Sequence, residues 1–185
     1  MAKDGARDDG AWCQFGFPEP EREEYLASQA ERPTEAGPAD RRALLEGFEF
    51  LVLVSHSFFG MGGRPVIVIW RRGGSVDVAV WSADCTFDQR RTLEGTAAEK
   101  LLSAVLATHA DTWTEPFEPE EPVLDGYGWD MTVYSGSRYF MCCGDNAAPR
   151  ELVELLRAVA DAGLPLAWDG EEIAFARGNE KGDYE

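Results

Sequence analysis

Residues 47–59, GFEFLVLVSHSFF, decide how the chain is read. The run is dense in β-branched and aromatic residues, which suit a pleated surface packed against neighbours. A strand buried on both faces shows such a continuous apolar stretch rather than a strict alternation. Moving outward, GMGGRP at 60–65 is a turn, and VIVIW at 66–70 is a second fully apolar strand. Arg71-Arg72-Gly73-Gly74 suits a hairpin connection to SVDVAVWS at 75–82. There the pattern alternates, with Val76, Val78 and Val80 on one face and Asp77, Ala79 and Trp81 on the other. A fourth extended segment is expected near Thr86 to Leu93, completing an antiparallel meander.

The period then changes. Thr96-Ala-Ala-Glu99 has the spacing of a capping box, and Leu102, Val105, Leu106 and His109 recur as one helical stripe. This helix is expected to end near Trp113. After a proline-interrupted acidic loop, YGWDMTVYSGSRYFMCC reads as a hairpin turning at Ser135-Gly136. GDNAAP leads into a second helix with Pro149 near its first position, where Leu152, Leu155, Leu156 and Val159 form an apolar stripe. Gly163 and Pro165 stop it, and LAWDGEEIAFA is expected to add a short strand pair turning at Asp169-Gly170. The sequence therefore predicts an α+β fold in the order βββ(β)-α-ββ-α. It has a mainly antiparallel sheet with two helices packed on one face.

Residues 1–40 are rich in Gly, Pro, Ala and acidic side chains. A short helix is expected from Pro20, too thin in apolar residues to join a core. This gives a polar N-terminal extension over 1–40, a single domain over 41–177 with its core starting near Ala43, and a frayed tail over 178–185. No apolar run approaches the roughly 20 residues of a membrane span. The first residues are polar and acidic, so cytoplasmic residence is the expectation.

The formal charge of −17 in 185 residues argues against nucleic-acid or anionic-membrane binding, both of which require a basic face. It suits either plain solubility or a basic protein partner approached under electrostatic steering. The densest core-adjacent acidity lies between residues 111 and 130. Asp111, Glu115, Glu118, Glu120, Glu121, Asp125 and Asp130 follow one another there without an intervening basic residue. With Trp113 beside them at the expected helix end, these are the candidate binding residues, because aromatics anchor interfaces when exposed.

Candidate chemistry is sparse. The glycines at 60–63 lead into a strand and lack the following Lys-Ser/Thr of a phosphate loop. Ser55-His56-Ser57 places a histidine between hydroxyls, but neighbours on a strand point to opposite faces. A nucleophile for His56 would have to come from elsewhere, such as Cys142. Cys13, Cys85, Cys142 and Cys143 form no metal spacing and no regular disulfide framework. Cys142 and Cys143 should face opposite sides of their strand as reduced thiols. With His56 and His109 the only histidines, the sequence indicates no metal and no cofactor.

The stretch VLDGYGWDMTVYSGSRYFMCCGDNAAPRELVELL resembles a pattern of small bacterial α+β proteins. In it a D-G-x-x-W turn precedes a hairpin and G-x-N-x-x-P opens a helix. The matching residues are Asp125, Gly126, Trp129, Gly144, Asn146 and Pro149, in a stretch that covers about a fifth of the chain, with Asp145 or Asn146 expected to cap the helix. Some such proteins resemble immunity proteins of bacterial toxin systems. The resemblance implies the α+β fold. The charge of −17, the acidic loop at 111–130 and the missing catalytic set point to a non-enzymatic protein-binding module. An immunity protein that neutralises a basic toxin domain is its specific form. The alternative is a small hydrolase or transferase built on His56 or a thiol in a pocket. The sequence leaves the oligomeric state open.

Overall fold

The computed structural model describes residues 33–57, 65–82, 88–121, 123, 126–168 and 173–175. The expected helix after Pro20, the glycine turn at 60–64, Cys13, Cys85, Trp12, Asp125, the Asp169-Gly170 turn and the tail lie outside them. Among the described residues no helix is long and apolar enough to cross a membrane.

The fold is α+β with a mainly antiparallel seven-stranded sheet. Strands β2 (Phe50–Ser57), β3 (Pro65–Arg72), β4 (Ser75–Ser82) and β5 (Asp88–Glu94) form the expected meander. The chain then forms helix α2 (Gly95–Ala107) and returns as the hairpin β6 (Tyr127–Ser135) and β7 (Arg138–Asp145). β6 pairs antiparallel with the free side of β2 through eight residue pairs, from Phe50↔Tyr134 to Ser57↔Tyr127. That pairing puts β2 inside the sheet, and both of its faces are apolar because Leu51 and Leu53 join the helix-side core while Phe50 and Val52 join a cluster on the other face.

Two elements precede those expected. β1 (Thr34–Glu35) pairs in parallel with the outer edge of β7. Helix α1 (Pro38–Glu46) begins ahead of the expected core start at Ala43 and buries Leu44 and Leu45. With α3 (Arg150–Asp161), three helices rather than two among the described residues join the main core with the same sheet face, and the pair β8 (Leu166–Trp168) and β9 (Ile173–Phe175) joins them. The strand order is β1-β7-β6-β2-β3-β4-β5.

Helix details also differ from expectation. The α3 stripe of Leu152, Leu155, Leu156 and Val159 is buried as expected. In α2 the buried residues are Ala98, Leu101 and Val105, while Leu102 and Leu106 are only half-buried. The capping box does not form, because β5 runs straight into the helix through Gly95 at φ 53°, one residue ahead of Thr96. α2 stops at Ala107, and His109 takes a left-handed turn at φ 53°, exposed rather than on the stripe. A single 3-10 turn (Ala110–Thr112) then leads to Trp113.

The other sheet face carries a second cluster. Phe50, Val52, Val66, Val68, Ala79 and Trp81 are each 0–8% exposed there. Strand register links Trp70, Phe50, Tyr134 and Tyr139 into an aromatic row with ring centroids 5.2–5.8 Å apart.

Candidate functional site

The acidic segment is divided by packing. Trp113 is buried, with its ring edge-on to Phe117 at 5.3 Å and Trp129 at 5.9 Å. It serves the core and offers no exposed aromatic anchor. Its carbonyl accepts a hydrogen bond from the buried Arg41 guanidinium at 3.0 Å. Asp111 is also withdrawn, its side chain only 10% exposed and its carboxylate 3.6 Å from Arg42. Both residues hold α1 against the 3-10 turn, because burying a charge requires a partner.

Glu115, Glu118, Glu120 and Glu121 are exposed and make no ion pair among the described residues. Between them stands Phe117, half-buried between Trp113 and Trp129. Its amide donates to the Cys143 carbonyl at 3.0 Å, and its carbonyl accepts from the Asp145 amide at 2.8 Å. This one-residue parallel bridge to Gly144 fixes the loop to the outer edge of β7 at its middle. A proline-rich acidic stretch with an apolar residue at its centre was the available signal for that pin. Its burial depends on its pairing with β7, a contact that sequence spacing does not reveal.

Asp130 lies elsewhere, on the sheet face opposite the helices. Its carboxylate is 3.2 Å from His56 Nε2, both side chains being 42% exposed. Register sets Asp130 beside Val54 on one side and Cys143 on the other, and sets Gly128 between His56 and Asp145. Gly128 leaves room for both side chains here, since a β-carbon would strike the His56 ring and come within 2.8 Å of the Asp145 carboxylate, so that both would have to move. His56, Asp130, Asp145 and Cys143 thus gather at one corner of the face.

Neither described thiol is activated. Cys142 is buried on the helix side, away from His56, and donates weakly to the Met131 carbonyl at 3.7 Å. Burial pushes it up to about 12. Cys143 shares the His56 face, but burial raises it first and the carboxylates of Asp130 and Asp145 raise it further. A nucleophilic thiol needs the opposite shift. Both cysteines are free, and they face opposite sides of β7 as expected. Among the described residues no group of His, Cys, Asp and Glu is arranged to hold a metal ion.

The residues of the hairpin pattern interlock structurally. The Trp129 indole donates to the Ala147 carbonyl at 2.8 Å and lies so close to Gly144 that a β-carbon there would sit 2.7 Å from it. Asn146, at φ 51°, exchanges bonds with Tyr127 through its amide and its side-chain oxygen, at 2.8 and 3.0 Å. It therefore does not cap α3. The residue preceding that helix is Pro149, without a side-chain cap. Compared with known proteins, the chain matches no family model and no curated sequence.

Proposed function

We propose that the chain is a non-enzymatic protein-binding module that takes a basic partner through the pinned acidic loop. The observation that carries this reading is the set Glu115, Glu118, Glu120 and Glu121, exposed and without an ion pair among the described residues, on a loop bonded to β7 at Phe117. Exposed carboxylates on a mobile tail serve solubility alone; held on a sheet edge, they present a fixed pattern and lose less entropy when bound. A net charge of −17 adds long-range attraction for a cationic surface. An immunity protein covering a basic toxin domain is the specific form of this activity.

The test is affinity capture from the organism that makes the chain, at low and moderate salt. A basic protein retained at low salt and released as salt rises is the expected outcome. Recovery of no basic protein counts against the reading. The His56–Asp130 contact favours one second reading, general acid–base chemistry at that corner. His56→Ala would then abolish turnover in a broad hydrolase and transferase screen while leaving partner capture intact.

A further inference from the structure

The second sheet face changes character across its width. In the row Arg90–Ala79–Val68–Val52–Thr132–Met141, Val68 is 2% exposed and Val52 8%, whereas Met141 is 48% exposed in the middle of β7. Around Met141 lie Thr132, Tyr139 and Cys143, all partly exposed, with Tyr134 one strand further in. A contiguous strip of methionine and tyrosine side chains differs from a lone exposed apolar residue. Such side chains adapt to, and anchor, protein partners.

The rim of the strip is acidic. Asp130 and Asp145 bound it at the His56 end, and Glu118 follows Phe117 at the Asp145 end of the same edge. Arg138, the one basic residue of β7, alternates onto the helix side of the strand, where Asp40 engages it at 2.7 Å, and so does not offset this rim. A second copy of the chain would oppose like charges across this rim, so charge complementarity selects a cationic occupant.

We infer that the β6–β7 half of this face, centred on Met141, docks a cationic protein segment presenting an apolar side chain between Lys or Arg residues. The inference rests on the reading of the acidic loop as a contact for a basic partner, and adds an apolar anchor point to it. Charge brings the segment to the rim, and burial of its apolar residue on Met141 and the tyrosines supplies selectivity.

The test uses the full chain with ¹³C-methyl methionine and two synthetic peptides of equal length and charge, one alternating Leu and Lys, the other Ser and Lys. The Leu–Lys peptide is expected to shift the Met141 methyl signal and to bind about tenfold tighter than the Ser–Lys peptide. Met131, buried on the other side of the sheet, should stay still. Met141→Ser should remove the preference while loop amides from Glu115 to Glu121 still respond to both peptides. If those amides shift and Met141 does not, the docking strip is wrong and the acidic-loop reading stands. If neither responds, both fail. A Met141 signal that moves with protein concentration alone assigns the strip to a second copy and overturns the inference. One that moves on removal of residues 1–32 assigns it to the chain itself, with the same consequence.

Discussion

Asn146 shows what a pattern residue does and why its role was misread. G-x-N-x-x-P reads as a helix cap, since Asn is a good acceptor ahead of a helix. Its side chain instead turns back to the Tyr127 amide, because Asn tolerates the left-handed backbone that ends β7. Pro149, spaced correctly from it, leaves α3 uncapped by any side chain. Asn146→Gly should keep the backbone and lose one part-buried hydrogen bond, costing about 1 kcal/mol. Asn146→Ala should cost roughly 1–2 kcal/mol more, because alanine resists a positive φ. Urea denaturation of the two variants measures the difference, and equal midpoints would contradict this account of the residue. Trp129 was legible as a residue of the expected hairpin. Its bond to Ala147 was not, since it depends on the hairpin's far end.

Among the elements, α3 was readable because its leucines recur at helical spacing. α2 was readable as a helix, but its stripe was assigned one residue off and its end too late. α1 escaped because PADRRALLE contains only two adjacent leucines, and its third buried residue is a charged one, Arg41. That arginine is the docking device. It donates to Trp113, lies over the Phe140 ring at 5.5 Å and stands 3.7 Å from Glu35. Arg41→Ala should destabilise the chain by about 2–3 kcal/mol, through a lost charged hydrogen bond and lost packing of the side-chain stem. Hydrogen exchange should be fastest in α1 and in the 3-10 turn of that variant. Loss spread evenly over all elements would mean that Arg41 does not dock α1.

Over the whole molecule, the meander and the β6–β7 hairpin were legible because their pairings are local. The β2–β6 pairing was not, since it joins residues 70 to 84 apart and leaves no mark beyond the two-sided burial of β2. β1 was invisible at two residues in length. The sheet's burial has a pH consequence. The Cys142 thiol, ordinarily at 9.0, is held at about 12 because burial disfavours its thiolate. Between those values the unfolded chain ionises there and the folded chain does not. Stability from this group is therefore full below pH 9.0 and falls as pH rises toward about 12. Cys142→Ala should flatten that alkaline decline in thermal melts, and an unchanged slope would contradict it.

The acidic loop was the one candidate binding feature the sequence could locate, because it needs only a run of carboxylates between two apolar patterns. Which of the described carboxylates are exposed without an ion pair depended on folding: Asp111 went to the core with Trp113 and Asp130 to the sheet face, leaving Glu115, Glu118, Glu120 and Glu121 among the described residues. The direct test replaces those four with glutamine and measures, by titration calorimetry, affinity for the basic protein that the wild type captures. The account predicts an unchanged folding midpoint and an affinity loss of roughly tenfold to a hundredfold, shrinking as salt rises. An unchanged affinity at low salt, with the fold intact, would contradict it.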